Sequence, residues 1–143
     1  DALEAKLIIQ QNQQNSAVSP KLTELAILIA ARHLTNSFEW NAHYTLAVKA
    51  GLSTDVIAAV ADGRRPEDMA QDEAILHDFC IELLQNKSVS DGTYARAVAK
   101  FGEAGFVEAA GPEGYYTFLA MVMNVARSPS PANATQKLTP FPK

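Results

Sequence analysis

The sequence is nearly without cysteine: Cys80 is the single thiol among 143 residues. One thiol cannot form an intrachain disulfide, which agrees with a reducing compartment and leaves a packed core to hold the fold. His77 and Cys80, three residues apart, could begin a metal site, but no second pair of suitably spaced ligands exists. We therefore interpret them as a surface histidine and a buried thiol, and we expect neither a metal nor an organic cofactor.

Clustered positive charge and long apolar runs are also lacking. The 12 Lys and Arg residues are scattered and are outnumbered by 16 Asp and Glu, for a net charge of -4. Nucleic acid and anionic membrane surfaces are disfavoured as partners, because both need clustered cations. No apolar run approaches the roughly 18 residues that a membrane span needs, and no basic, apolar leader opens the sequence. We expect a cytoplasmic protein.

The alternation of apolar and polar residues that marks a half-buried strand is absent, whereas apolar residues recur at the helical period. The fold class predicted is all-α, with about six to seven helices. Residues 1–143 are expected to form one domain, with a core over about 20–127 and an extended, proline-containing tail over 128–143. The predicted helices cover 2–13, 21–34, 38–50, 54–61, 68–86, 90–102 and 103–127, the last with a kink or break at Gly111–Pro112.

Two segments are apolar around their whole circumference. The helix predicted over 21–34 is apolar on nearly every face, so it should run through the middle of the domain or of an oligomer, and Glu24 is the charge that does not fit. The run 115–123 includes Tyr115, Tyr116, Phe118, Met121 and Met123, and a lone chain of this size would struggle to cover it. We interpret this stripe as core or subunit interface and expect a homo-oligomer.

One constellation could carry chemistry. Glu39 and His43 stand four residues apart, so their side chains share one face of a helix. Glu24 precedes His43 by nineteen residues on the helix before, and a short break between the helices can fold Glu24 back against that face. A carboxylate beside an imidazole fixes its tautomer, and such a group can move protons near neutral pH. The alternative is a buried ion pair that holds two helices in register.

The chain resembles the carboxymuconolactone decarboxylase and alkyl hydroperoxidase D-like superfamily over roughly residues 20–127. The resemblance rests on five phrases taken together: LTELAILIAAR (22–32), FEWNAH (38–43), AVKAGLS (47–53), VSDGTY (89–94) and GYY (114–116). It implies a compact helical domain of the alkyl hydroperoxidase D-like type that assembles as three or six subunits.

The peroxidase branch of that superfamily carries Glu, eleven residues, Cys-x-x-Cys, three residues, His. Laid on this sequence, the Glu falls on Glu24 and the His on His43, but the cysteine positions fall on Asn36 and Glu39. A dithiol mechanism needs one thiolate to attack the peroxide and a second thiol to resolve it. Neither is present, so the resemblance points to the decarboxylase-type branch, which lacks the cysteine motif.

The resemblance implies a cofactor-independent lyase of aromatic-acid breakdown that removes CO2 from a small carboxylated lactone. His43 is the expected proton donor, Glu24 would orient it, and Glu39 would hold the substrate or relay the proton. A dianionic substrate would repel two carboxylates unless one is protonated or a cation compensates, from Arg32, His33 or a neighbouring subunit. A different small carbonyl compound, with tautomerisation or lyase chemistry, fits the same groups.

Two other functions stay open. A peroxide-defence protein would have Cys80 as its sole thiol, and a non-catalytic helical oligomer would use the Glu/His cluster as a structural element.

His33 is interpreted as a helix C-terminal residue that interacts with the helix dipole. The Arg64–Arg65 pair is interpreted as part of a solvated loop rather than as an anion site.

Overall fold

The computed structural model describes residues 16–140, and they form five α-helices. The helices are α1 (Pro20–His33), α2 (Ser37–Lys49), α3 (Thr54–Ala61), α4 (Gln71–Asn86) and α5 (Asp91–Val125). Residues 16–140 contain no strand, so the prediction of an all-α chain is confirmed for this range. The helix predicted over 2–13 lies outside the described residues.

Four of the five helices begin at a side chain that caps the first turn. Asn36 accepts a hydrogen bond from the Glu39 backbone N–H at 2.9 Å, and Ser19, Ser53 and Ser90 serve α1, α3 and α5 in the same way. These oxygens satisfy backbone donors that have no partner inside the helix. The caps explain why three of these starts lie within one residue of their predicted positions and the start of α3 matches its prediction.

Helix α4 begins at Gln71, three residues later than the sequence predicted. The Glu73 carboxylate accepts a hydrogen bond from the Ala70 N–H at 3.0 Å and pairs with Lys21 Nζ at 2.7 Å. This arrangement fixes the first turn at Ala70 and ties it to α1. The residues before it, from Pro66 onward, therefore belong to the loop after α3.

Helix α5 is interrupted at Gly102, where φ is 75° and ψ is 175°. A left-handed φ suits glycine, which has no Cβ to clash with the backbone. Dihedral angles stay helical through Pro112, so the two abutting helices meet at Gly102 rather than at Gly111–Pro112. The boundary predicted between 90–102 and 103–127 is thus found at Gly102, although both helices are counted here as the one element α5. This count and the undescribed 2–13 segment give five helices instead of six to seven.

Helix α1 is the centre of the described part of the chain. It contacts each of the other four helices, and Leu25, Leu28 and Ile29 are at most 1% exposed. Burial of this amount of apolar side chain is the main stabilising contribution in a domain of this kind. The prediction of a helix that runs through the middle of the fold is confirmed.

The C-terminal segment after α5 has no regular secondary structure up to residue 140, as predicted. It nevertheless packs on the helices. The Leu138 N–H donates to Ser37 Oγ at 3.1 Å, and the Thr139 carbonyl accepts from Arg32 Nη1 at 2.8 Å. The side chain of Leu138 joins the core, so this segment covers the junction of α1 and α2.

One face of α5 presents large apolar side chains to solvent. Phe118, Met121 and Val122 are about half exposed and Val125 is 85% exposed. Within residues 16–140 every helix is too short or too polar to cross a bilayer, α5 included. Phe118, Met121 and Val122 belong to the run 115–123 that the sequence assigned to core or interface, and in the single chain they are not core.

Candidate functional site

The structure brings Glu24 and His43 into direct contact. His43 Nδ1 lies 2.8 Å from Glu24 Oε2, a hydrogen-bond distance between a ring nitrogen and a carboxylate. The side chains of His43 and Glu24 are 13% and 15% exposed. The pair is thus largely withdrawn from water but still reached by it, and the second ring nitrogen of His43 is not engaged by Glu24.

The contact follows from the short connection between α1 and α2. Only three residues, Leu34 to Asn36, separate the two helices, so α2 folds back along α1. Two hydrogen bonds of the Asn36 side chain stabilise this connection. Its Oδ1 accepts from the Glu39 N–H at the start of α2, and its Nδ2 donates to Asn124 Oδ1 at 2.9 Å. Glu24 near the start of α1 therefore faces the middle of α2, where His43 lies.

Tyr116 on α5 packs against the histidine of the Glu24–His43 pair. Its ring meets the His43 ring edge to face, with centroids 4.8 Å apart and planes at 79°. Burial, together with the nearby charges of Glu24, Tyr115 and Glu39, raises the pKa of Tyr116 to about 12. The phenol is thus neutral at physiological pH and can donate a hydrogen bond.

Glu39 is the most deeply buried member of the cluster. Its side chain is turned inward with 3% exposure, and neither carboxylate oxygen has a hydrogen-bond partner among residues 16–140. Burial raises the pKa of Glu39 to about 7, because the charged form loses its hydration. The group therefore exchanges its proton near neutral pH. Its charge acts on Tyr116, and it stands one helical turn before His43 on α2.

These groups can act together as proton donors and acceptors. Glu24 fixes the orientation of the His43 ring, Tyr116 packs against that ring, and Glu39 can be present as acid or as carboxylate at neutral pH. An oriented imidazole with a carboxyl of pKa near 7 one helical turn away is suited to general acid–base chemistry. Of the three side chains that the sequence singled out, the structure brings Glu24 and His43 into contact, while Glu39 is buried one helical turn before His43.

Two expected contributors lie elsewhere. Arg32 and His33 stand at the end of α1, eight or more residues after Glu24, or about 12 Å along a helix. Both line a different cleft, between α1 and α4, so they do not supply the compensating cation. None of the three clefts that we describe in residues 16–140 is lined by Glu24, Glu39 or His43.

Sequence reasoning missed two residues. Tyr116 was interpreted only as part of an apolar stripe, although its hydroxyl and its position one turn after Glu113 set it apart. Glu113 is 1% exposed, and burial raises its pKa to about 7. It lies against the Cys80 thiol, whose pKa is raised by burial and by Glu113. A lone Glu in an apolar run was the available signal.

The interpretation of His77 is wrong. His77 is 5% exposed instead of lying at the surface, because it stands on α4, which packs against α1, and its Nδ1 lies 3.3 Å from Asp78 Oδ1. Cys80 is buried, as expected. In the described part of the chain, no three His, Cys, Asp or Glu side chains are grouped so that they could hold a metal ion.

Known proteins give no independent placement of the chain. Comparison of the sequence with protein-family models, with curated proteins and with solved structures finds no match. The functional assignment therefore has to be argued from the residues and from their geometry.

Proposed function

We propose that the protein is a cofactor-independent lyase or proton-transfer enzyme that acts on a small carboxylated lactone or a related carbonyl compound. The observation that carries the proposal is the 2.8 Å contact between His43 Nδ1 and Glu24 Oε2, in a pair that keeps partial access to solvent. The resemblance to the carboxymuconolactone decarboxylase superfamily supports the same chemistry, and the family assignment is itself part of the proposal.

The reaction needs an electron sink and one proton. When the bond between the ring carbon and the carboxylate breaks, CO2 leaves and the electron pair passes into the conjugated carbonyl of the lactone. The resulting enolate takes a proton at carbon from the imidazolium of His43. Water later returns a proton to the imidazole of His43. Glu24 holds the ring in place and stabilises its cationic form, which is the role of a carboxylate beside a catalytic histidine.

Tyr116 and Glu39 complete this scheme. A neutral phenol beside the His43 ring can donate a hydrogen bond to the oxygen on which the enolate charge develops. Glu39, with a pKa of about 7, can enter the reaction protonated, which removes one of the two negative charges that an anionic substrate would meet. The buried carboxyl thus answers the electrostatic objection in part, without Arg32 or His33.

The test is turnover of a panel of carboxylated lactones and keto acids by the parent and by His43→Ala, with His33→Ala as the matched control. His33 is exposed at the end of α1, so its removal should leave turnover unchanged. We expect His43→Ala to fold, judged by circular dichroism, and to lose about 100-fold or more of the activity. A parent that converts no member of the panel, or a His43→Ala variant as active as the parent, contradicts the proposal.

The other functions left open by the sequence gain less support. Cys80 is fully buried and the raised pKa of its thiol disfavours the reactive thiolate, which argues against thiol-dependent peroxide reduction. A non-catalytic oligomer would leave the Glu24–His43 pair as a structural tie. In that case Glu24→Gln and His43→Ala would both lower the melting temperature, and no member of the panel would raise it.

We also propose that the chain forms a homo-oligomer through the exposed face of α5. Phe118, Met121, Val122 and Val125 place four large apolar side chains on one helix, more than a soluble monomer ordinarily leaves uncovered in one place. Sedimentation of the parent should give a trimer or hexamer, and Met121→Glu should shift it to the monomer. A parent that sediments as a monomer at micromolar concentration contradicts this part.

A further inference from the structure

The cleft between α1 and α4 also reaches the end of α3 and the loop that follows it. Its volume is about 330 Å³, which is within the range of small-ligand sites. Ile29, Val60 and Ile81 give it an apolar lining, and the first two of these are buried. The cleft is lined by none of the residues to which the proposed lyase activity is assigned.

The three arginines that line the cleft are engaged by carboxylates of the chain. Arg65 pairs with Asp78, which also lines the cleft, through two hydrogen bonds of 2.8 and 3.0 Å. Arg64 pairs with Asp62 at 3.3 Å, and the charge of Asp62 also acts on Arg32. An anion that entered the cleft would therefore have to displace a carboxylate or lie beside one, where it is repelled.

The two carboxylates that line the cleft are engaged as well. Asp78 is held by Arg65, and Glu82 accepts a hydrogen bond from the Ser90 N–H at 2.6 Å. The charge of Arg96 also acts on Glu82. A cation in the cleft would compete with these partners. The charged side chains of the cleft thus favour neither an anionic nor a cationic ligand.

His77 is the buried neutral polar side chain of the cleft. It is 5% exposed, whereas His33, Gln85 and Asn86, which line the same cleft, are exposed to solvent. A buried imidazole at an apolar surface needs a hydrogen-bond partner for each ring nitrogen, and Asp78 serves Nδ1 at 3.3 Å. The second nitrogen, Nε2, is the one that a ligand in the cleft can satisfy.

The tautomer of His77 follows from its contact with Asp78. The hydrogen bonds from Arg65 lower the pKa of Asp78, so at neutral pH this group is a carboxylate, which accepts hydrogen bonds and donates none. The proton between the two side chains therefore lies on His77 Nδ1. Burial lowers the pKa of the imidazole, so the ring is neutral at physiological pH. Nε2 is then a hydrogen-bond acceptor.

We propose that this cleft binds a small neutral molecule that has an apolar body and a hydroxyl group. The body packs on the apolar lining, and the hydroxyl donates a hydrogen bond to His77 Nε2. A neutral hydroxyl satisfies the imidazole and leaves the surrounding ion pairs intact. The proposal agrees with the interpretation of Arg64–Arg65 as part of a solvated loop, because both side chains are more than half exposed. It does not depend on the proposed lyase activity.

Isothermal titration of the full chain with phenol, anisole and benzoate tests the proposal. Phenol should bind saturably with a Kd of about 1 mM or lower, which is within the reach of so small a ligand. Anisole has a similar ring without the O–H donor, and benzoate carries a charge, so both should bind at least about 10-fold more weakly. Absence of phenol binding, or binding of anisole or benzoate as tight as that of phenol, overturns the proposal.

Variants of the cleft locate the binding. His77→Phe keeps an aromatic ring without the acceptor, so it should weaken phenol binding about 10-fold and leave anisole binding unchanged. Ile81→Trp fills the cleft and should weaken the binding of both compounds, and it decides the question if His77→Phe does not fold by circular dichroism. Unchanged phenol binding in either folded variant overturns the proposal.

Two control variants exclude other modes of binding. Arg64→Gln removes a charge from the same cleft and should bind phenol within about twofold of the parent, because its exposed ion pair is not used by the ligand. A large loss in Arg64→Gln would show that the arginine holds the ligand and would overturn the proposal. His43→Ala should bind phenol like the parent. If it does not, phenol occupies the lyase site and the cleft is not the binding site.

Discussion

Glu39 and Glu113 are two buried carboxyl groups with the same raised pKa, about 7, and opposite surroundings. Glu39 stands one helical turn from the hydrogen-bonded imidazole of His43, its charge acts on the Tyr116 phenol, and the Glu24 and His43 side chains keep partial access to water. Glu113 is sealed between α4 and α5 against a buried thiol. A raised carboxyl pKa thus shows that the group is buried. It indicates a candidate functional site only where other titratable side chains and access to solvent accompany it.

The largest expected effect is the protection of the Cys80 thiol, which lies against the sealed Glu113, from reagents in solution. A fully buried thiol with a raised pKa reacts with a disulfide reagent such as Ellman's reagent only when the structure opens. We expect native Cys80 to react at least about 1,000-fold more slowly than in denaturant, measured by thionitrobenzoate release. A native rate near the denatured rate would mean that the Cys80–Glu113 region is open.

The next largest effect should be a difference in turnover between the Glu39 and Glu113 variants. Glu39→Gln should lower turnover about 100-fold, because it removes a proton donor and acceptor beside His43, a loss typical of general acid–base groups. Glu113→Gln is the matched control, with the same chemical change at a sealed position, and should keep turnover within about twofold. Equal losses in both variants would break the distinction between the two sites.

Stability against pH should reveal Glu113 directly. Its carboxyl has a pKa of about 7 in the folded chain against 4.5 ordinarily, so between these values the folded state binds a proton that the unfolded state has lost. Stability therefore falls as the pH rises from about 4.5 to 7, by about 3 kcal/mol at most for one group. Urea unfolding at pH 5 and pH 8 should show a smaller fall for Glu113→Gln than for the parent. An equal fall in both contradicts the assignment.

The smallest expected effect is that of Tyr116→Phe. The ring keeps its edge-to-face contact with His43, and only the hydroxyl near Glu24 and Glu39 is lost. Turnover should drop about threefold to tenfold, the size of one hydrogen bond. The melting temperature should stay within a few degrees of the parent. A loss as large as that of Glu39→Gln would assign Tyr116 a greater role than an auxiliary donor.

The sequence predicts the part of the site that depends on local geometry. Glu39 and His43 share a helix face by their spacing, and a short break can return Glu24 to them, so that contact follows from residues 24–43. Tyr116 could not be predicted, because its position depends on how α5 packs after the Gly102 interruption. His77 was misplaced for a similar reason, since its burial depends on how α4 packs against α1 and on the neighbouring Asp78.

The central claim, that the His43 imidazole transfers the proton, is tested most directly by chemical rescue. His43→Ala removes a ring that packs on Tyr116 and contacts Glu24, and leaves room in which free imidazole can sit. We expect added imidazole to restore part of the lost turnover of His43→Ala, with a saturable dependence on its concentration. The turnover of Glu39→Gln should not change when imidazole is added. Full activity of His43→Ala without imidazole would contradict the account.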